Sequence, residues 1–264
     1  MLKMENVTYT YEDNTKALED ITIDLEKGNL VGIVGSNGAG KSTMFLNFAG
    51  IYRPKKGKVY LEGKPYEYDK QYLRKLREKV GIVFQDPDKQ IFYSNVYDDV
   101  AFGPRNLGLE EEEVKKRVEE SLKEVDAYEF KDKPVHFLSH GQKKRVAIAG
   151  VLAMNSEVIF FDEPTAGLDP VVTKAIEKIL VNLSENGKKI VISSHDMDLI
   201  YRICDYTYVV KKGKILKEGD SKQVFVEEEI LKQAGLDMPW LVKVHKNMGY
   251  PLFRYEEDLF RYEK

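Results

Sequence analysis

Gly35-Ser36-Asn37-Gly38-Ala39-Gly40-Lys41-Ser42-Thr43 is the stretch that decides how this chain folds. It satisfies G-x-x-x-x-G-K-[ST]. The apolar run Leu30–Val34 before it reads as a buried strand, and the pattern from Lys41 to Phe48 after it reads as a helix. In that setting the glycines let backbone N–H groups turn inward around phosphate oxygens. The helix N-terminus adds the positive end of its dipole. Lys41 is placed to reach the β- and γ-phosphates of a nucleoside triphosphate, and the Ser42 hydroxyl to ligate Mg²⁺.

Outward from the loop, short apolar runs alternate with helical patterns. Val80–Phe84, Val158–Phe161 and Ile190–Ile192 are further strand candidates, with helices over Val171–Leu183 and Met197–Cys204. Strands alternating with helices predict an α/β fold with a mostly parallel core sheet. The N-terminal part reads instead as antiparallel β: Val7, Tyr9 and Tyr11 alternate with polar residues, as do Ile21, Ile23 and Leu25. Between Phe84 and Glu157 the pattern turns helical. Glu110–Val125 there carries Val114, Val118, Leu122 and Val125 on one face. We expect a main domain over 1–235, a helical subdomain over about 86–155 inserted in it, and a small C-terminal appendage over 236–264, where Pro239, Trp240, Pro251 and a Tyr/Phe/Glu-rich tail change the composition.

A second chemical element is Val158-Ile159-Phe160-Phe161-Asp162-Glu163. Four apolar residues make a buried strand, and two carboxylates emerge at its C-terminal end, where open α/β sheets bind ligands. Asp162 would hold Mg²⁺ directly or through water, and Glu163 would polarise an attacking water. A phosphate loop with such a strand still leaves kinases, helicases, GTPases and transport ATPases open.

Leu138-Ser139-His140-Gly141-Gln142 separates them, because it resembles the LSGGQ signature of ABC ATPases. The other elements of that family follow in its order. Gln85 stands after the Val80–Phe84 run, as the Q-loop glutamine does. Ala166-Gly167-Leu168-Asp169-Pro170 resembles the D-loop, and His195 stands where the switch histidine does. Tyr11 stands where the family stacks an aromatic ring on adenine. The resemblance covers residues 1–235 and implies the P-loop ABC nucleotide-binding fold with ATP and Mg²⁺ as its ligands. It assigns Gly35, Ser36, Asn37, Gly38, Ala39, Gly40, Lys41, Ser42, Thr43 and Tyr11 to the nucleotide. Ser42, Gln85 and Asp162 fall to the metal, and Glu163, His195 and Gln85 to catalysis. Ser139, Gly141 and Gln142 would touch the nucleotide held by a second ATPase subunit, identical or paralogous. The family has glycine where this chain has His140, a position where a demand for positive φ would favour glycine.

The segment Phe84-Gln85-Asp86-Pro87-Asp88-Lys89-Gln90-Ile91-Phe92 narrows the resemblance to energy-coupling-factor importers, the group that includes cobalt and nickel uptake ATPases. That implies an integral membrane coupling subunit and a substrate-binding membrane subunit as partners, cobalt, nickel or a vitamin as cargo, and a place on the cytoplasmic face of the membrane. An ABC exporter motor shares the same ATPase chemistry, and only this segment and the appendage argue against it. A soluble non-transport ABC ATPase usually carries two cassettes or a long coiled-coil insertion, and this chain shows neither.

Composition agrees with these expectations. The 264 residues carry a net charge of −3 with 32% charged residues, which gives no electrostatic reason to expect nucleic acid as a partner. The triplet Lys143-Lys144-Arg145 reads as the solvated start of the signature helix. The longest uncharged run, near Val146–Met154, is far short of the ~20 apolar residues a spanning helix needs. Residues Met1–Glu5 have no apolar h-region, so no signal peptide is expected. A single cysteine, Cys204, suits a reducing compartment.

Overall fold

The computed structural model describes residues 2–262, and each apolar run singled out above becomes a strand in it. The strands are β1 (Leu2–Thr10), β2 (Lys16–Asp24), β3 (Leu30–Val34), β4 (Lys56–Leu61), β5 (Lys64–Pro65), β6 (Val80–Val83), β7 (Val158–Asp162), β8 (Lys189–Ser194), β9 (Tyr206–Lys211) and β10 (Lys214–Asp220). The helices are α1 (Lys41–Phe48), α2 (Lys70–Lys79), α3 (Val96–Asn106), α4 (Glu111–Glu124), α5 (His140–Leu152), α6 (Pro170–Glu185), α7 (Met197–Ile203), α8 (Ser221–Phe225), α9 (Glu228–Ala234), α10 (Trp240–Met248) and α11 (Glu256–Phe260). The chain forms two compact units, one from the residues up to Tyr66 together with those from Val191 onward, the other from Glu67–Ile190.

In the first unit, β1 pairs antiparallel with β2 and β4, giving a sheet in the order β2-β1-β4-β5. Two-residue alternation, shifted in phase by irregularities at the left-handed Asn6 and Asp20, leaves Leu2, Met4, Val7, Leu18, Ile21 and Ile23 fully buried. A second sheet carries the phosphate loop. Its strand β3 is buried at every position and runs parallel to β9, which pairs antiparallel with β10 at the edge. A strand with no polar alternation is what a sheet covered on both faces requires. Phe45 and Phe48 of α1 are fully buried and fix that helix, so the loop between β3 and α1 has two rigid ends.

In the second unit, β6 and β7 pair in parallel, Val80 opposite Val158 through Val83 opposite Phe161. Between them in sequence lie α3, α4 and α5, each in contact with the other two. The stripe read from the sequence, Val114, Val118, Leu122 and Val125, is fully buried. At ~1.5–3 kcal/mol per buried aliphatic side chain, it contributes about 6–12 kcal/mol before entropy is counted. That far exceeds what the intrinsic propensity of a 14-residue helix supplies, so packing holds α4 in place.

Candidate nucleotide site

The phosphate loop needs its glycines for two different reasons. Gly35 is packed against the sheet: a Cβ there would lie 2.4 Å from the Val210 carbonyl oxygen. Gly38 and Gly40 are left-handed, at φ 76° and 106°, and Gly40 is also the N-cap of α1 with no side-chain cap bond. A Cβ on Gly40 would meet the Ala17 carbonyl at 2.7 Å, whereas one on Gly38 would meet nothing within 4 Å. The loop is thus pinned at its ends and open at its middle, where backbone N–H groups and the helix dipole favour an anion. Ala39 is buried; Asn37 and Ser42 are exposed. Lys41 is buried, and its Nζ donates to the Gly35 carbonyl at 2.7 Å. Thr43 is buried, and its Oγ1 lies 2.7 Å from the Tyr11 hydroxyl. Tyr11 lies just beyond the end of β1 and packs edge-on to Tyr9 and Tyr52, which stack on each other with centroids 4.8 Å apart. Its half-buried ring therefore belongs to an aromatic wall tied to the loop through Thr43.

His195 is exposed after β8. Asp196 caps α7 behind it, accepting from the Leu199 N–H at 3.0 Å. His195 opens on a cavity of about 460 Å³ whose walls include Ser36 and Asn37 of the phosphate loop and Trp240 and Lys243 of α10. The first unit therefore brings together Tyr11, Gly35–Thr43 and His195.

The second unit holds the remaining predicted residues. The carboxylates of Asp162 and Glu163 are both 7% exposed at the end of β7. Glu163 sits at φ 47°, a left-handed conformation that a glutamate adopts only under constraint. Gln85 is exposed after β6. Its own carbonyl and that of Phe84 each accept a 2.9 Å hydrogen bond from the Lys144 Nζ. Lys144 is fully buried. Burial pulls its pKa down to about 8, against the upward pull of Asp162, Asp86 and Glu163. The Gln90 side chain also braces this turn, accepting from the Phe84 N–H at 2.9 Å.

These contacts correct the reading of the basic triplet. Lys144 faces inward, Lys143 pairs with Asp88 at 2.6 Å, and Arg145 pairs with Asp126 at 2.9 Å. Lys144 escaped sequence reasoning, although helical spacing marks it: it falls one turn before Ala147 and Ile148 and two before Val151, on the buried face of α5.

At the start of α5, Ser139 and Gln142 form a capping box: Ser139 Oγ accepts from the Gln142 N–H, and Gln142 Oε1 accepts from the Ser139 N–H. The box uses the Ser139 oxygen as an acceptor, and the hydroxyl proton takes part in neither of its two bonds. His140 is the first helical residue, outside the positive-φ set, so the feared demand for glycine does not exist at that position. Its Nε2 lies 4.0 Å from where a side chain on Gly167 would begin. Gly141 is a tighter site: a Cβ there would come within 3.1 Å of Val172 Cγ1 in α6. Asp169 caps α6, accepting from the Val171 and Val172 N–H groups. Signature and D-loop thus pack as one piece.

The sequence profile of the family described as ABC transporter matches residues 18–166. The chain belongs to the ABC transporter family. It is 53% identical over 239 residues to the energy-coupling factor transporter ATP-binding protein EcfA of Methanocaldococcus jannaschii, covering 90% of this chain and 86% of that protein. It superposes on the structure of cbiO1 from Clostridium perfringens, described as part of the ABC transporter complex cbiONQ, with a TM-score of 0.79 at 45% identity, covering 93% of this chain and 98% of that one. It also superposes on a dimeric ATP-binding cassette in a post-hydrolysis state with ADP and phosphate, with a TM-score of 0.76 at 32% identity, covering 84% and 99%. These likenesses set the chain among the ATP-binding, ATP-hydrolysing subunits of energy-coupling-factor transporters, with the ABC ATPase fold, and do not favour the exporter or soluble readings. The donors fit that chemistry. Gly38 leaves the loop open to phosphate, and Ser42, Gln85 and Asp162 offer hydroxyl, amide and carboxylate oxygens, the hard ligands Mg²⁺ prefers.

Proposed function

We propose that this chain hydrolyses ATP to drive uptake of cobalt, nickel or a vitamin through membrane subunits, docked on the cytoplasmic face. The observation that carries the reading is the open, glycine-built loop at the N-terminus of α1, with Lys41 inside it and His195 on the adjoining cavity. The loop N–H groups from Gly38 to Thr43 bind the phosphates, and Lys41 neutralises their charge. Tyr11 offers its ring to the adenine. Ser42, Gln85 and Asp162 would hold Mg²⁺, which stabilises charge on the phosphate oxygens when bound. Glu163, fixed by its backbone, orients and polarises the attacking water. His195 positions the γ-phosphate and the water.

Ser139, Gly141 and Gln142 act on the ATP of a second subunit, homologous or identical. A ligand shared this way binds the closed pair better than the open one and shifts the equilibrium toward closure. Loss of the γ-phosphate removes the bridge.

The membrane partner has a candidate seat. Phe92, Tyr93 and Phe102 are 63%, 41% and 38% exposed, yet cluster with ring centroids 4.5–5.8 Å apart. The buried Asp99 accepts from the Phe92 and Tyr93 N–H groups at 3.0 Å and pins two of these rings. An exposed aromatic patch seven residues beyond Gln85 supports docking of a membrane subunit there. Among the described residues, no helix is long and apolar enough to cross a membrane. The test is Glu163→Gln: the variant binds ATP, loses turnover and accumulates as a dimer on size exclusion with ATP. Turnover at the parental rate overturns the reading.

A further inference from the structure

The segment after Gly235 is not needed for any step above, yet it is fastened to the element that carries His195. Helix α7 starts two residues after His195 and is only seven residues long. A helix that short does not hold itself in water. Asp196 caps its first turn, its buried face packs on β3 and α8, and the C-terminal segment adds polar ties along its length. Near the start of α7, Asp198 Oδ1 accepts from the Trp240 N–H at 2.7 Å. Further along, the Tyr201 hydroxyl donates to the Phe253 carbonyl at 2.8 Å. At the end, the Arg254 guanidinium donates to the carbonyls of Arg202, at 2.9 Å, and Cys204. These are the orphan carbonyls of a helix C-terminus, where a cation also meets the negative end of the dipole.

The segment is itself braced. Trp240 Nε1 donates to Glu256 at 3.2 Å, and Leu241 and Val242 are buried. Gly235, just before the segment, lies near the phosphate loop: a Cβ there would stand 3.9 Å from Ser36 Cβ. Loop, histidine and C-terminal segment wall the same cavity.

We propose that the segment Leu236–Tyr262 is a positioning element for His195, clamping α7 at Asp198 and at Arg202/Cys204 and so fixing where the imidazole stands over the phosphate loop. Asp198 and Arg254 are its positioning residues. The proposal rests on the assignment of His195 to the nucleotide site.

The experiment is a double-mutant cycle on the full-length chain, reading kcat, KM for ATP, affinity for a non-hydrolysable ATP analogue and Tm. Asp198→Ala and Arg254→Gln each lower kcat at least fivefold, with KM and analogue affinity within twofold of the parent. Asp198→Asn keeps an acceptor for the Trp240 N–H and restores kcat to within twofold. In a His195→Ala background, Asp198→Ala has no further effect. Trp240 is the single tryptophan of the chain, so its emission also reports the clamp: the analogue shifts it in the parent and not in Asp198→Ala. Parental turnover by His195→Ala overturns the site reading beneath the proposal. The clamp alone is overturned if Asp198→Ala costs as much with His195 absent as with it present, or if Asp198→Asn fails as badly as Asp198→Ala. A loss of Tm and analogue affinity in proportion to kcat overturns it too, since that is what mere scaffolding gives.

Discussion

Lys144→Met separates holding the fold together from aiming the Q-loop. The substitution keeps the unbranched stem and removes the ammonium. In the folded chain that ammonium is fully buried, and its pKa falls from 10.5 to about 8. A drop of that size means that keeping it charged at neutral pH costs about 3.4 kcal/mol, at 1.36 kcal/mol per unit. Methionine relieves this cost. Against it stand the two carbonyls, Phe84 and Gln85, that lose a donor at 2.9 Å. Both acceptors are only part-buried, so ~1–3 kcal/mol each, or ~2–6 kcal/mol together, bounds the cost of leaving them unpaired. The two terms nearly cancel, leaving between about 1 kcal/mol of gain and 3 kcal/mol of loss. At ~2–4 °C per kcal/mol for a chain of this size, Tm falls by no more than about 12 °C. Function does not share in the cancellation. With its carbonyl released, Gln85 is no longer aimed, and a misplacement of about 1 Å in a catalytic group costs on the order of 10²-fold. We expect kcat to fall 10- to 100-fold while the protein stays folded. A pH series supplies an independent check on the nucleotide-free chain. Below about pH 8 both folded and unfolded lysine are protonated and the cost is fully present. Between about 8 and 10.5 the unfolded chain binds more protons than the folded one, so this lysine makes stability rise with pH. The parent should show that gain relative to Lys144→Met. The reasoning is refuted if turnover per folded molecule stays within twofold of the parent, or if the variant and parent have parallel stability curves from pH 8 to 10.5.

His140→Gly should leave ATP turnover intact or raise it, because His140 has ordinary helical backbone and its ring lies only against Gly167 among the described glycines; steady-state kinetics check this, and complete loss would give the imidazole a specific role. Asp99 carries a carboxyl whose pKa burial raises above 3.8 in spite of its two N–H donors. The folded chain therefore binds more protons there than the unfolded one. That contribution to stability is full at low pH and is lost as pH rises from about 3.8 through the folded value. Asp99→Asn keeps an acceptor and removes the titration, so Tm at pH 7 should be at least parental and the pH 4–7 profile flatter, as thermal melts would show.

The parts of this molecule that announce themselves in sequence are those fixed by local rules. Leu30–Val34 and Val158–Phe161 are uninterrupted apolar runs, and a sheet covered on both faces leaves them no other place. Glu110–Val125 shows a helical stripe, and all four residues it names are buried, with Ser121 beside them. The phosphate loop is legible because its chemistry demands glycine at fixed spacing. What escaped depends on partners distant in the chain. Lys144 looks like one of three solvated cations until Phe84 and Gln85 supply carbonyls from sixty residues away. Nothing local reveals that the Tyr11 hydroxyl reaches Thr43, or that Glu163 is left-handed. His140 misled in the opposite direction: a glycine preference seen in a family need not mean a positive φ, and here the residue has the ordinary backbone of a helix start.

Gly141 carries that last point further. Its glycine is required by contact and not by conformation, since a side chain would run into Val172 at 3.1 Å. Val172 belongs to the first turn of α6, which Asp169 caps. The helix that starts at the signature and the helix that starts at the D-loop are therefore in van der Waals register, and a displacement of either start pushes on the other. The second turn of α5 holds Lys144 and, through it, the carbonyl of Gln85. Three elements that the family places at the nucleotide of either subunit (signature, D-loop and Q-loop) are thus joined within one unit by two contacts, one apolar and one charged. A closely packed contact transmits displacement without needing to be strong, so a push on the start of either helix reaches the other.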